Sequence, residues 1–308
     1  MSGKTKGLKS AIDAFIRSHG IEAEMVQNLI KEAIHLHLLS ALSEAGVLQH
    51  VVFQGGTALR LCYGGERYSE DLDFVCGKAG VGLKDAALDA LVDKALDITR
   101  KTLQHDFAID AALITLKRPA QPEIVKGSGV AVVTWQIVVP LDPTRKAPKS
   151  RVKIEFANVP SYESRPSVVG AVPGLVQIQD VILNAETPNE ILADKAVALT
   201  ARKVLKFRDV WDVWYLVNKL SATPDRAMVL KKLVDYGIRD VAGKANTRID
   251  ELAKDATAAA FFAEMKRFIP SARVAQMAQM NLQRTMLADS ADLIARTVLS
   301  APPAKSGH

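Results

Sequence analysis

The sequence has few of the features that mark secreted, membrane or zinc-binding proteins. Its two cysteines, Cys62 and Cys76, lie 14 positions apart, without a CxxC pattern or a partner histidine cluster. This pattern indicates neither a zinc site nor a disulfide framework and fits a reducing compartment. No stretch reaches the roughly eighteen uncharged apolar residues of a membrane span, and the basic N-terminus leads into no apolar secretion segment. We therefore expect a cytoplasmic protein without a membrane partner.

Length and charge distribution constrain the domain number and the kind of partner. A chain of 308 residues with 48% hydrophobic content can form two domains. The net charge is +6, but residues 1–200 carry 22 basic and 23 acidic side chains, whereas residues 201–308 carry 18 and 11. Such a basic excess favours a polyanionic partner, because lysine and arginine release counterions from phosphate backbones. Charge that serves solubility is the alternative.

The periodicity of apolar residues predicts a mixed first half and a helical second half. Helical spacing over residues 8–45 predicts one or two helices, in which His35 and His37 lie on different faces and do not share a metal. The next predicted elements are a strand at 51–53, a helix at 57–63, a strand at 71–76, a helix at 83–103, and β-rich runs at 107–116, 130–139 and 151–157.

These elements predict an α+β fold with two domains. Residues 1–175 are expected to form a mixed β-sheet with flanking helices, and residues 176–300 a helical bundle with a basic surface. The Pro- and Gly-containing passage near residue 175 marks the boundary. Residues 301–308, which are rich in Pro, Ala, Lys, Ser and Gly, are expected to be a disordered tail.

A glycine turn after the first predicted strand has the character of a phosphate-binding loop. Gly55 and Gly56 allow backbone N–H groups to approach phosphate oxygens without a Cβ atom in the way. The helix that follows presents its N-terminal dipole to the same anion, and Thr57 adds a hydroxyl at its start. An ordinary turn is the alternative interpretation of the glycine pair alone.

Two carboxylates on the next predicted strand suit a metal ion. Asp71 and Asp73 are two residues apart, so both point to one face of the strand while Leu72 faces the core. Their oxygens can share one Mg²⁺ or flank a pair of ions, and Mn²⁺ is the alternative ion. With an NTP bound beside the glycine turn, these ions would neutralise charge on the leaving pyrophosphate.

The block from Gly55 to Phe74 resembles the signature of the AbiEii and MenT-type toxins. These are nucleotidyltransferase-like members of type IV toxin–antitoxin systems within the wider DNA polymerase β superfamily. The resemblance matches Ser69 to the serine or threonine of the family's S-x-D-x-D string, which implies that it contacts phosphate or itself accepts a phosphoryl group. Arg60 and Arg67 are then candidates for phosphate contact, although each can equally be a surface residue.

A second group of charged residues lies about 120 residues further along the chain. Lys195, Arg202 and Asp209 are seven apart, so a continuous helix stacks them on one face, whereas a break near residue 206 makes two packed helices. Trp211, Trp214 and Tyr215 are expected to face inward, and Asp209 and Asp212 outward. Periodicity alone is also consistent with an amphipathic helix carrying solvated ion pairs.

The resemblance assigns roles to this second group and spans residues 50–220. Lys195, Asp209 and Asp212 match a later family motif, a lysine followed by R-D-x-x-D-L, with Trp214 departing from the usual aliphatic ending. It implies that Lys195 binds the triphosphate, with Arg202 a further nucleotide contact, and that Asp209 orients Lys195 or the acceptor. The active site is then expected to be a cleft between the two domains.

Superfamily sites often add a third carboxylate from a later strand, and Glu155 is the candidate here. Arg151, Lys153 and Glu155 share one face of their predicted strand. A cross-strand ion pair between Glu155 and a lysine is the alternative, and Asp110 is a weaker candidate for the third ligand. The basic cluster at residues 145–153 is suited to guiding an RNA backbone.

Three functions are compatible with these residues. The first is a toxin-like, Mg²⁺-dependent nucleotidyltransferase that moves a nucleoside monophosphate from an NTP to an acceptor. The resemblance implies the tRNA 3′ end as acceptor, with blocked translation and neutralisation by a cognate antitoxin protein. The second transfers the nucleotide to a protein hydroxyl, as an AMPylating enzyme, or to a small molecule. The third is a non-catalytic protein that binds RNA or an antitoxin.

Overall fold

A computed structural model describes residues 8–77, 86–118, 123–124, 130–140, 149–170, 172, 176 and 178–299. Internal contacts divide the chain into two compact units. The sheet unit comprises Met1–Thr187 and Lys266–Ser271, and the helical unit comprises Pro188–Met265 and Ala272–His308. The two-domain interpretation with its boundary near residue 175 stays a prediction, and the tail at 301–308 lies outside the described residues.

The sheet unit is built on one mixed sheet of eight strands. The strands are β1 (Val52–Gln54), β2 (Leu72–Gly77), β3 (Thr115–Lys117), β4 (Glu123–Ile124), β5 (Ala131–Pro140), β6 (Lys149–Pro160), β7 (Ser164–Val169) and β8 (Val181–Glu186). Seven of them follow the order β3-β5-β6-β2-β1-β8-β7, and β4 pairs with β5. The pairs β2–β6 and β1–β8 are parallel, and the others are antiparallel. This arrangement confirms the predicted α+β class.

The central strands bury a row of aromatic rings on one face. Phe53, Phe74 and Phe156 come from the adjacent strands β1, β2 and β6, and all three are fully buried. Their ring centroids are 5.1 Å apart between Phe53 and Phe74 and 5.4 Å apart between Phe74 and Phe156. Because side chains alternate along a strand, this aromatic row directs the intervening polar residues to the opposite face.

The described part of the sheet unit contains the helices α1 (Leu8–His19), α2 (Val26–Glu44), α3 (Gly55–Cys62) and α4 (Ala86–Phe107). Two helices precede the first strand, as the helical spacing predicted. Helix α2 is buried over most of its length, and it contacts α1, α4, β6 and β8. A helix of this kind is stable when it is surrounded by other elements.

The predicted β-rich run at residues 107–116 is largely wrong. Helix α4 continues to Phe107, a 3₁₀ turn covers Ala111–Leu113, and only Thr115–Lys117 forms a strand. The Asp110 carboxylate accepts a hydrogen bond of 2.9 Å from the backbone N–H of Ala112. This local bond stabilises the turn at the expense of a strand. Strand β6 begins at Lys149, two residues before the predicted run at 151–157, and residues 141–148 lie outside the described part of the chain.

The described residues of the helical unit form a bundle. Its helices are α5 (Pro188–Ala201), α6 (Phe207–Leu220), α7 (Arg226–Asp235), α8 (Val241–Leu252), α9 (Asp255–Met265), α10 (Ser271–Gln279) and α11 (Leu282–Ile294), followed by a π-helical turn at Ala295–Leu299. Helix α5 is central, since α6, α7, α8 and α11 all contact it. Within the ranges that the structure describes, no helix has the length and hydropathy needed to cross a membrane.

Candidate active site

The turn between β1 and α3 brings Gly55 against the Asp73 carboxylate. Gly55 has φ +76°, a left-handed conformation that strains residues with a side chain. A Cβ atom at this position would also lie 2.9 Å from Asp73 Oδ2. Helix α3 begins at Gly55 itself, two residues earlier than predicted. The glycine is therefore required both by the backbone conformation and by the close approach of a carboxylate.

The neighbouring glycine makes room for a buried arginine. A Cβ atom at Gly56 would collide with Nη2 of Arg67, so a side chain would fit here only if the guanidinium moved. Arg67 is buried, and its Nη1 donates a hydrogen bond of 3.0 Å to the Tyr68 carbonyl. The second glycine thus places a guanidinium beside the first turn of α3. The buried Thr57 hydroxyl donates to the Asp71 carbonyl, which ties the start of this helix to the start of β2.

Asp71, Asp73 and Glu155 come together on one face of the sheet. In the parallel β2–β6 pair, Asp73 lies opposite Glu155. The side chains of all three residues are partly exposed. Asp71 Oδ1 accepts a hydrogen bond of 3.3 Å from the backbone N–H of Lys153, which fixes Asp71 beside β6. The residues between them point into the aromatic core, so the strand alternation predicted from the sequence is confirmed.

Lys153 extends along this same face. Its Nζ lies 3.3 Å from Oε1 of Glu155, so Glu155 pairs with a lysine of its own strand, whereas the alternative considered from the sequence was a pair across strands. The Glu155 carboxylate raises the pKa of Lys153, and Asp71 and Asp73 add to this effect. The face therefore groups three carboxylates around one ammonium.

Helix α2 holds the segment that precedes Asp71. Lys31 Nζ lies 2.9 Å from Oε1 of Glu70, and His35 Nε2 donates a hydrogen bond of 3.1 Å to the Glu70 carbonyl. Burial lowers the pKa of His35 to about 4, so its ring is neutral at pH 7. Lys31 and Glu70 were not among the residues predicted from the sequence, and His35 was expected only not to share a metal with His37. The spacing of four between Lys31 and His35, which places them on one helix face, is the signal that could have found them.

Arg60 and Ser69 occupy different surroundings in the sheet unit. The Arg60 guanidinium binds both carboxylate oxygens of Glu32, at 2.7 and 3.2 Å, and donates to the carbonyls of Gly65 and Glu66. Its donors therefore face protein groups around the 65–68 loop. Ser69 is partly exposed and lies two residues before Asp71.

In the helical unit, Lys195 is bound by two buried aspartates. Its Nζ lies 2.8 Å from Oδ1 of Asp209 and 2.7 Å from Oδ2 of Asp212. Arg202 also pairs with Asp209, through the other carboxylate oxygen. Two cations and two anions thus form a balanced cluster at the contact of α5 and α6.

The expectation that Asp209 and Asp212 face outward is wrong. They are only 3% and 1% exposed. Their ion pairs with Lys195 compensate the charge that burial would otherwise leave without solvation. The helix is interrupted between Ala201 and Phe207, so the interpretation as two packed helices is confirmed. Asp209 and Asp212 on α6 face Lys195 on α5.

Two further groups around α5 were missed by the sequence analysis. The fully buried Lys232 lies 2.8 Å from Glu190 and 2.7 Å from Asp194, which both belong to α5. The buried Arg248 of α8 donates to the carbonyls of Leu199 and Arg202 and so satisfies the C-terminal end of α5. The sequence around Lys232 and Arg248 does not indicate these partners, because the partners on α5 lie about 40 to 50 residues earlier in the chain.

The carboxylate face of the sheet unit has the ligands that a hard divalent cation prefers. Asp71, Asp73 and Glu155 supply only oxygen donors, as Mg²⁺ and Mn²⁺ sites do. The backbone N–H groups at the start of α3 adjoin the same carboxylates, since Gly55 approaches Asp73. The side chain of Gln54, the residue before α3, makes no capping hydrogen bond to this helix. A metal and an anion can therefore bind side by side here.

Comparisons with known proteins identify a sequence family and similar solved structures. A sequence model of the family described as nucleotidyl transferase AbiEii toxin, type IV toxin–antitoxin system, matches residues 37–295. JHP933 from Helicobacter pylori is a similar solved structure, with 18% identity and a TM-score of 0.47 over 89% of this chain and 94% of that one. A proposed nucleotidyltransferase from H. pylori has the same identity and TM-score over 90% and 99% of the two chains. No curated protein sequence matches the chain.

Proposed function

We propose, from the premise that the chain belongs to the AbiEii nucleotidyltransferase toxin family of type IV toxin–antitoxin systems, that it transfers a nucleoside monophosphate from an NTP to the tRNA 3′ end. This family membership makes the chain a toxin-like nucleotidyltransferase. The dependence on Mg²⁺, the tRNA acceptor and neutralisation by a cognate antitoxin are the proposed parts.

The observation that carries the proposal is the contact between the glycine turn and the carboxylate face. Gly55 lies against the Asp73 carboxylate, and Asp73 lies opposite Glu155 in the sheet. A triphosphate on the backbone N–H groups of α3 would therefore adjoin a metal held by Asp71, Asp73 and Glu155. When bound, Mg²⁺ would supply the positive charge that neutralises phosphate oxygens and lowers the pKa of the attacking hydroxyl.

In the proposed reaction, the acceptor hydroxyl oxygen bonds to the α-phosphorus of the NTP. The bond from the α-phosphorus to the bridging oxygen of the β-phosphate breaks, pyrophosphate leaves with that electron pair, and the hydroxyl proton passes to solvent. The first turn of α3 would hold the phosphates by its N–H groups. Arg67, whose guanidinium adjoins Gly56, would add positive charge beside this turn.

Lys195 is proposed to bind the triphosphate as a compact charge. Asp209 and Asp212 hold its ammonium in the bundle, so they would set its direction rather than contact the nucleotide themselves. Arg202 pairs with Asp209 while its own side chain stays half-exposed, which leaves it able to meet a phosphate. These roles rest on the family membership and on the ion pairs within the helical unit.

The acceptor is proposed from charge. Residues 201–308 carry 18 basic and 11 acidic side chains, whereas the rest of the chain is almost neutral. Positive charge of this kind favours an RNA phosphate backbone, and the binding would weaken steeply as salt rises. The antitoxin partner follows from the toxin–antitoxin character of the family.

Incubation with each α-³²P-labelled NTP, Mg²⁺ and total tRNA tests the proposal. We expect label on tRNA, its loss with EDTA, and a decrease of about a hundredfold or more for Asp71→Asn and Asp73→Asn. Asp97→Asn, the same change at an exposed carboxylate of α4 outside the proposed site, is the matched control and keeps its activity. Undiminished labelling by Asp71→Asn would show that the carboxylate face does not perform the reaction.

The position of the label also separates the other candidate functions. Label on a protein, including Ser69 of this chain, would indicate transfer to a protein hydroxyl. Transfer to a small molecule would continue in tRNA-free reactions and would be insensitive to salt at the acceptor step. Binding of RNA without any incorporation of label would indicate a non-catalytic binding protein.

A further inference from the structure

We propose that Lys153 is the resident counter-ion of the carboxylate face, and that a divalent metal binds there only by displacing the Lys153 ammonium from Glu155. The inference rests on the proposed function, since that function places the metal at Asp71, Asp73 and Glu155. Lys153 would compete with the metal for Glu155, so a side chain that is not itself a ligand would set the metal affinity.

The position of Lys153 follows from the strand geometry. Lys153 and Glu155 are two residues apart on β6, so their side chains share one face, and the Nζ to Oε1 distance is 3.3 Å. The backbone N–H of Lys153 also donates to Asp71 Oδ1. Lys153 is therefore in contact with two of the three proposed ligands, one through its ammonium and one through its backbone.

Charge explains why this ammonium and a metal compete. A divalent cation needs the same Glu155 oxygens that Lys153 now contacts, and two cations at one carboxylate repel each other. The ammonium can leave at small cost, because the Lys153 side chain is 48% exposed and ends a flexible stem. The backbone bond to Asp71 persists, so displacement of the ammonium leaves Asp71 in place.

Without a metal, the same ammonium stabilises the fold. Asp71, Asp73 and Glu155 repel one another on adjacent strands, and Lys153 offsets part of this repulsion. A variant without the charge is expected to bind metal more tightly and to be less stable when metal is absent. These two effects in opposite directions distinguish a counter-ion from a metal ligand, whose removal would weaken binding.

The test measures Mn²⁺ binding to the full chain by electron paramagnetic resonance, with no nucleotide present. Lys153→Met removes the charge and keeps most of the volume, and we expect its Kd for Mn²⁺ to fall about fivefold. Lys153→Arg keeps a cation and is expected to stay within about twofold of the native protein. The melting temperature of metal-free Lys153→Met is expected to fall by about 1 to 3 °C and to recover with saturating Mn²⁺.

Arg151→Met is the matched control. Arg151 carries the same charge on the same face of β6, but it lies about 7 Å further along the strand. Screening makes its effect on the Kd less than about twofold. An equal decrease of the Kd in Arg151→Met and Lys153→Met would show a general field effect and would overturn the role assigned to Lys153.

The remaining outcomes separate this inference from the proposed function. Binding of Mn²⁺ by the native protein that is lost in Asp73→Asn, together with an unchanged or weaker affinity in Lys153→Met, overturns the inference alone. Failure of the native protein to bind Mn²⁺ at millimolar concentration overturns both the proposed metal site and the role of Lys153.

Discussion

The charged clusters around Asp73 and around Lys195 differ in balance and in burial. On the sheet, Asp71, Asp73 and Glu155 adjoin the single ammonium of Lys153, and these side chains are all partly exposed or exposed. In the helical unit, Lys195 and Arg202 balance Asp209 and Asp212, and both aspartates are buried.

This difference indicates two kinds of task. An exposed face with excess negative charge attracts a cation from solution, because water still solvates the carboxylates while they wait for it. A buried cluster must be neutral, since an uncompensated charge in the interior costs several kcal/mol. The sheet cluster is therefore suited to binding and releasing an ion, and the helical cluster to holding Lys195 in one position.

The largest expected effect is the loss of one partner from the helical cluster. Asp209→Asn keeps the shape of the side chain but removes the negative charge that pairs with Lys195 and with Arg202. We expect the free energy of unfolding to fall by about 3 to 5 kcal/mol. Urea unfolding followed by the fluorescence of Trp211 and Trp214 measures this loss, and the exposed Lys203→Gln serves as control. A loss below about 1 kcal/mol would show that the cluster is not effectively buried.

Acidification is expected to destabilise the sheet unit through His35. Burial lowers the folded-state pKa of His35 from 6.5 to about 4, so protons bind more tightly to the unfolded chain. The stability that His35 contributes is complete above pH 6.5 and is lost as the pH falls toward 4, by about 3 kcal/mol. Urea unfolding at several pH values, followed by Trp135 fluorescence, measures it. His35→Gln, which keeps a donor for Glu70, should lose much less between these pH values.

The glycine turn offers a smaller effect with an internal control. Gly56→Ala places a methyl group against the buried Arg67 guanidinium and is expected to cost about 1 to 3 kcal/mol. In an Arg67→Ala background, the same change should cost much less, because the space is free. A double-mutant cycle by urea unfolding measures this coupling. Equal costs in both backgrounds would mean that Arg67 does not determine the need for glycine at this position.

The smallest effect has the opposite sign. Asp71→Asn removes one of three repelling carboxylates and keeps an oxygen that accepts from the Lys153 N–H. We expect the metal-free protein to gain up to about 1 kcal/mol, since exposed charges interact weakly. Thermal unfolding with EDTA and with Mn²⁺ measures the gain and the accompanying loss of stabilisation by metal. A loss of stability like that of Asp209→Asn would remove the distinction between the two clusters.

Local signals predicted the parts of the fold that depend on neighbours in sequence. The two N-terminal helices and the strands around Phe53 and Phe74 follow from apolar spacing and glycine positions, whereas the spacing left open both a continuous helix and the break between α5 and α6. Strands β7 and β8 were not predicted. Strand β7 lies at the sheet edge, has several exposed residues and lacks a continuous apolar run, so it gave no clear strand signal. The candidate site residues stay predictions, and the structure places them in two groups, one in each unit.

The sequence by itself determined the order of glycine turn, helix and paired aspartates, and through it the family. It also determined that Asp73 shares a strand face with Asp71, and Glu155 with Lys153, because side chains alternate with a period of two. Only the tertiary structure decided that these two residues lie opposite each other, and that Asp209 and Asp212 are buried against Lys195. Strand neighbours and charge burial depend on packing between segments far apart in sequence, which no local pattern of residues specifies.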